Sequence, residues 1–304
     1  MRVVSLHPDV LVATGRIWQT TCTIVRGGGV ATGADASVAG SSGPLTVHLS
    51  GGEAGSGATG PDLDVRPGAE TFVIDSPILP DELEILPALL EQSRFPQPSG
   101  LLVTHADWDH LLARLAFPEA AIGCAVSSGE RMRSGPGAPQ RELRAFDEQH
   151  YVRRPTPLAL GSLQALDVPG SCEIGSHELA LYPAEGHTAD GMAVWIGWAG
   201  VLVAGDYLSA VEIPVLGDGG SIDAYLETLE RLRPLVSAAS HVVPGHGPVL
   251  DSERATAVLK EDIAYLSALR DTGAAAELPE GRRTRAQRAI HAANAVSSAL
   301  AGDP

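Results

Sequence analysis

Cysteine is nearly absent: Cys22, Cys124 and Cys172 are the only three in 304 residues, and no C-x-x-C pair occurs. An odd, widely spaced set argues against a disulfide framework and against a thiolate zinc site. It fits reduced thiols in a cytoplasmic protein. Long hydrophobic runs are missing too, and none approaches the roughly 20 residues that span a bilayer, so no membrane association is expected. The opening MRVVSLHPDVLVATG lacks a basic stretch followed by an apolar one, so no secretory leader is expected and the expected location is cytoplasmic. Positive charge is short: 21 Lys and Arg face 37 Asp and Glu, a formal net charge of -16. Such a surface repels phosphate backbones, and nucleic acid is not expected as a partner. An anionic small substrate stays open, because a bound metal dominates its own local field. Aromatics make up only 4%, which leaves core building to the aliphatic residues that dominate a 44% hydrophobic chain.

What is present reads as alternating strands and helices. Residues 9–15 and 20–26 are rich in Val, Ile and Thr and predict two short strands. Residues 27–69 are dense in Gly, Ser and Ala around a strand-like LTVHLS, which predicts an irregular insertion in a hairpin. His48, inside it, has no motif around it. TFVIDSP predicts a strand ending at Asp75. A helix follows over 81–94, with Pro87 expected to kink or divide it. LLVTH (101–105) and AIGCAV are further strands. Residues 109–117 have helical spacing with Asp109 as a natural N-cap, and 128–150 read as a lid or loop with a short helix. The second half repeats the rhythm in LQALDVPG, CEIGSHELALYPA, GMAVWIGWAGVLVAGD and HVVPGHG. Three amphipathic helices follow or interleave: 223–236, one from 252 that stops at Gly273, and one near the C-terminus. Strands followed by helices in each half predict an α/β chain of two β-sheets packed face to face with helices outside. A single domain over 1–304 is expected, with C-terminal helices from about 252.

The informative stretch is Thr104-His105-Ala106-Asp107-Trp108-Asp109-His110: four candidate ligands within six residues, directly after an apolar strand. Carboxylate plus imidazole is the donor mix that suits Zn, Mn or Fe. One such residue would be an ordinary loop polar group; four in this register are not. Three more candidates follow at predicted strand ends: His187 in AEGHTADG, Asp206 in VLVAGDY and His246 in VVPGHGP. Each is preceded by glycine, which lets the chain turn sharply toward a shared centre.

This ordered series resembles the metal motif of the metallo-β-lactamase superfamily, His-x-His-x-Asp-His followed by a His, an Asp and a final His. The resemblance runs from about residue 9 to 250. It implies a four-layer αββα sandwich of two mixed sheets and two divalent metal ions, zinc first, with iron or manganese as alternatives. Metal one would be held by His105, Asp107 and His187, and metal two by Asp109, His110 and His246. Asp206 and a hydroxide would bridge them. Asp75 matches the family's early strand-end Asp, which orients a ligand by hydrogen bonding; otherwise it caps a turn. The departure is Asp107, where the family has its second His. A carboxylate adds charge and hardness there and leaves the metal's identity open; flavodiiron proteins place a Glu at that position and bind iron.

The implied chemistry is hydrolysis by a water whose pKa the metals lower to about 7, with Asp109 taking up or relaying the proton. A small ester, lactone or thioester is the expected substrate. The alternatives are an iron-dependent redox enzyme of the flavodiiron or persulfide dioxygenase type, and a non-catalytic binding relative. Around the motif, Trp108 either walls the pocket or packs, Tyr207 either donates to a substrate carbonyl or packs, and Glu212 is expected to line the cleft. His291 and Asn294, on the last predicted helix, either reach back to the site or bond between helices.

Overall fold

The computed structural model describes residues 1–28, 44–45 and 68–301. Most of the 27–69 insertion, His48 included, lies outside the described residues.

Fourteen strands among them form two sheets. The first runs β4 (Pro44–Leu45), β1 (Arg2–His7), β2 (Val10–Thr14), β3 (Thr21–Gly27), β5 (Glu70–Ile74), β6 (Gly100–Leu102), β7 (Ala121–Ala125) and β8 (Leu163–Leu166). Its members pair antiparallel from β4 through β5 and parallel from β5 through β8. The second runs β14 (Leu250–Asp251), β13 (His241–Pro244), β12 (Val201–Gly205), β11 (Met192–Ile196), β10 (His177–Pro183) and β9 (Gly170–Ile174). Only its β12–β13 pair is parallel. Both sheets are therefore mixed.

The period-two alternation of the strands divides the apolar side chains among three layers of core. In β2, Val10 and Val12 face the second sheet, while Leu11 and Ala13 face outward. In β12, Val201 and Val203 face the first sheet, and Leu202 and Ala204 face outward. The inward set, with Ile74, Leu102, Leu181, Val194 and Val243, fills the space between the sheets. The outer face of the first sheet is covered by α1 (Pro80–Gln92), α3 (Val126–Ser134) and α4 (Ala138–His150) through residues such as Leu86, Leu90, Met132 and Phe146. The outer face of the second is covered by α5 (Ile222–Ala238), α6 (Ser252–Thr272) and α7 (Arg285–Ala301), with Leu229, Leu232, Leu259 and Leu266 at the contact. Helix, sheet, sheet, helix is the expected αββα order. No helix among the described residues is long and apolar enough to cross a membrane.

The N-terminal segment adds a strand, β1, and helix α1 continues through Pro87 without dividing. Two expectations need correction. The stretch read as a lid forms two helices, α3 and α4; in α4, Leu143 and Phe146 at three-residue spacing bury against the first sheet, which offsets the polarity of the rest. The helix expected over 109–117 is only a 3-10 turn, Trp108–His110, followed by the four-residue α2 (Ala113–Ala116). Asp109 lies inside that turn and caps nothing. The competing demand on its side chain is the site.

Candidate metal centre

The site lies where the strands of both sheets end. Four histidines come from three different segments. His105 and His110 stand on the segment after β6, His187 in the β10–β11 loop, and His246 just past β13. Each turns its Nε2 inward, and three of them set Nδ1 in a hydrogen bond to an oxygen. His105 Nδ1 lies 3.1 Å from the Thr104 hydroxyl, which donates to Asp75 Oδ2 at 2.9 Å. His187 Nδ1 lies 2.9 Å from the Val215 carbonyl, and His246 Nδ1 3.2 Å from that of Trp18. His110 Nδ1 stands 3.1 Å from Asp75 Oδ2. With a hydrogen-bond partner at Nδ1, as in His105, His187 and His246, the proton belongs there and the Nε2 lone pair is left for a metal, while His110 Nδ1 faces Asp75 without a hydrogen bond.

Three carboxylates enter the same space. Asp107 Oδ2 is 3.5 Å from His105 Nε2 and 3.4 Å from His187 Nε2. Asp109 Oδ2 is 3.5 Å from His246 Nε2 and 3.9 Å from His110 Nε2. Asp206 lies between: its Oδ2 is 3.4 Å from His187 Nε2 and 3.3 Å from His246 Nε2, and its Oδ1 is 3.2 Å from His110 Nε2. His105, Asp107 and His187 thus form one group, and Asp109, His110 and His246 a second.

The residues fit metal ions on two observations. His105 Nε2, His110 Nε2, His187 Nε2 and Asp206 Oδ1 are buried with no hydrogen-bond partner, and buried polar atoms normally have one. The donor atoms also stand apart by about the edge of a tetrahedron whose bonds are ~2.0–2.2 Å, the length zinc makes to imidazole and carboxylate. The electrostatics agree. Burial opposes charge on His246, but Asp206 and Asp109 outweigh it and hold its pKa at about 10. Burial likewise opposes His187, and Asp107 and Asp206 hold it at about 8. Burial works against the Asp206 anion, yet His246 and His110 hold its pKa well below the usual carboxylate range. A field that favours a proton on these rings also favours a metal cation.

Glycine makes the convergence possible. Gly205, before Asp206, has φ +60°, a left-handed conformation. At Gly245 a Cβ would run into Asp206 Oδ1 and stand 3.1 Å from His110 Cε1, so only a glycine lets this strand end approach.

Asp75 binds at both oxygens. Oδ1 accepts from the Thr104 amide at 2.8 Å, and Oδ2 accepts from the Thr104 hydroxyl while facing His110. It thereby fixes the backbone entering His105 and, through Thr104, the His105 ring, and faces the His110 ring as a charge. Trp108 is buried and packs edge-on against Trp18 (centroids 5.8 Å) and tilted on Phe146 (4.8 Å). Glu212 lines a small cavity with Asp206, Ser209 and His246; burial raises its pKa. Tyr207 is placed otherwise than as a substrate donor. Its buried hydroxyl donates to the Ala184 carbonyl at 3.2 Å and accepts from the His187 amide at 3.0 Å, so it braces the His187 loop.

Two residues escaped the sequence reading. Asp190 accepts from the Ala106 amide at 2.9 Å and from the Thr188 hydroxyl at 2.9 Å, tying the first ligand segment to the His187 loop. Its signal was there: an acid three residues after a ligand, inside the same glycine-bounded turn. Arg131, on α3, lies 2.7 Å from Asp107 Oδ1 and 2.9 Å from Asp190 Oδ1. Nothing local marked it. The only hint was that a carboxylate replacing a neutral imidazole calls for a counter-charge.

Residues 65–246 match the sequence model of the metallo-beta-lactamase superfamily. No curated protein sequence matches the chain. Among solved structures, a beta-lactamase domain protein from Burkholderia ambifaria is 15% identical with a TM-score of 0.58, covering 99% of this chain and 88% of that one. A metallo-beta-lactamase family protein from Thermus thermophilus is 18% identical with a TM-score of 0.55, covering 88% and 84%. The protein TTHA1623, in a di-iron-bound form, is 19% identical with a TM-score of 0.50, covering 81% and 96%. At these identities the likeness is one of fold. Because the sequence match takes in every ligand candidate from His105 to His246, and the fold agrees around it, the chain belongs to the metallo-beta-lactamase superfamily.

Proposed function

We propose that the protein is a metal-dependent hydrolase acting on a small ester, lactone or thioester. The observation that carries this reading is the convergence of four Nε2 atoms and three carboxylates in two groups that share Asp206. His105, Asp107 and His187 would hold one divalent ion, Asp109, His110 and His246 a second, and Asp206 both. Bound there, the ions would supply a water acidic enough to attack at neutral pH and polarise the bond under attack. The chain's own part is positional. Asp75 and Thr104 orient His105 and His110, and Val215 and Trp18 orient His187 and His246. Asp109 would take up the proton of the attacking water, and Trp108, next to it in the chain and packed on Phe146, anchors its turn to the core. The free thiols of Cys22, Cys124 and Cys172 support a reducing, cytoplasmic setting.

A second reading keeps the site and changes the metal. Asp107 makes the first group harder than one built with a third imidazole, which favours iron, and one neighbour of this fold is a di-iron form. An iron-dependent redox enzyme is then the function.

Elemental mass spectrometry on protein purified without added metal or affinity tag separates the two. About two zinc or manganese ions per chain support the hydrolase, and ester, lactone and thioester panels follow. Predominant iron moves the redox reading to first place, and a chain that takes up no metal sinks both. In a zinc-loaded enzyme, alanine at His110 or Asp206 is expected to abolish turnover with the fold retained. Unchanged turnover in either variant removes the two-metal mechanism.

A further inference from the structure

The loop 209–216, between β12 and α5, has no regular structure of its own, and its backbone polar groups are satisfied largely by the C-terminal segment. Arg282 Nη1 donates to the carbonyls of Ser209 (3.1 Å) and Glu212 (2.8 Å). Gln287 Oε1 accepts from the Ile213 amide at 2.7 Å. Asn294 Oδ1 accepts from the Leu216 amide at 2.9 Å, and its Nδ2 donates to the Pro214 carbonyl at 2.6 Å. All three side chains are buried, and Asn294 is only 1% exposed. Asn294 is itself held, since its Nδ2 also reaches the Tyr265 hydroxyl at 3.2 Å.

One peptide unit in this loop stands apart. The amide that Asn294 accepts from, Leu216 N–H, and the carbonyl that His187 Nδ1 meets at 2.9 Å, Val215 C=O, belong to the same planar group. In a trans peptide the two point in opposite directions from a rigid plane. Asn294 therefore grips one edge of the plane and His187 the other. Its second bond, to Pro214, fixes the preceding plane and prevents Val215 from rotating. The next residue but one repeats the clasp, with the Gly217 amide donating to the His187 carbonyl at 2.7 Å. The ring direction of His187 is thus set from α7, a helix beyond the residues that match the family.

We propose that Asn294 is a positioning residue for the metal centre, acting on His187 through the Val215–Leu216 peptide. The inference rests on the metal-centre reading. A hydrogen bond that orients a ligand imidazole is worth about 10–100-fold in metal affinity, and Asn294 supplies the far anchor of such a bond.

The test is competitive zinc titration of the full-length apoprotein. Asn294→Ala is expected to weaken one of the two zinc equivalents about tenfold and to leave the other unchanged. Gln287→Ala is the control for a merely structural role. It removes an equally buried bond to the same loop, at Ile213, off the His187 plane, and both equivalents are expected to stay within about twofold of the wild type. Asn294→Asp keeps the Oδ1 acceptor for Leu216 but sets a second acceptor against the Pro214 carbonyl, so it is expected to weaken the same zinc equivalent about tenfold. It also carries the test if the alanine variant does not fold, and wild-type affinity in it then overturns the proposal. Wild-type affinity in Asn294→Ala, or equal weakening in Asn294→Ala and Gln287→Ala, overturns the proposal while the metal centre stands. Wild-type protein that takes up neither zinc nor iron overturns the metal-centre reading and this inference together.

Discussion

The conformational demand at Gly245 is steric. Any side chain there meets the Asp206 carboxylate and the His110 ring, two groups that would hold the second metal ion. Gly245→Ala is therefore expected to cost at least one of two metal equivalents, read by elemental analysis, with the far-ultraviolet circular dichroism unchanged. Arg131 acts through charge. It pairs with the Oδ1 atoms of Asp107 and Asp190, leaving Asp107 Oδ2 to face His105 and His187. Burial opposes charge on Arg131, and the two carboxylates more than restore it. Removing one member of a fully buried pair costs about 3–5 kcal/mol; Arg131, with 22% of its side chain exposed, is screened in part. Arg131→Ala is expected to destabilise the apoprotein by about 2 kcal/mol in urea unfolding; a change within about 0.5 kcal/mol, on the order of an ordinary surface substitution, would discount the pair.

At the scale of elements, legibility followed locality. The amphipathic helix read over 223–236 is α5, Ile222–Ala238, and its Tyr225, Leu229 and Leu232 lie on the second sheet's outer core. Leu229 is fully buried there, so Leu229→Ala is expected to cost about 3 kcal/mol by thermal or urea unfolding. Helix α6 likewise ends at Gly273, which has φ +58°. Helices α3 and α4 were not legible. They are polar, and their few apolar contacts, Met132, Leu143 and Phe146, become stabilising only once the first sheet and Trp108 are in place. The helix expected from Asp109 failed for the opposite reason. The local propensity was sound, but it competed with the demand that Asp109 and His110 face the other ligands, and a short 3-10 turn satisfies that demand.

For the whole molecule, the ligand cluster links metal binding to pH. His187 and His246 have pKa values of about 8 and 10, above the ~6.5 of a free imidazole. A group whose folded pKa is raised contributes stability that is full below the unfolded value and is lost as pH rises through the folded one. In metal-free protein, the stability advantage over a His246→Gln variant is expected to shrink between about pH 7 and 10. Zinc must displace the same protons, so its affinity is expected to rise across that window. Paired unfolding and competition titrations at about pH 6.5, 8 and 9.5 check both signs. A metal-free stability difference that grows with pH contradicts the assignment.

The sequence by itself determined the strand alternation, the glycine turns and the candidate ligands His105, Asp107, Asp109, His110, His187, Asp206 and His246. These are carried by period, spacing and residue type within a few positions. Only the tertiary structure decided what surrounds them: that Arg131 answers Asp107, that Tyr207 braces a loop, and that Asn294 grips the far side of the plane His187 rests on. Those partners stand 24, 20 and 78 residues apart in their respective pairs. Hydrogen bonds and charge pairs at such separations follow from which layers pack together, and no local pattern encodes them.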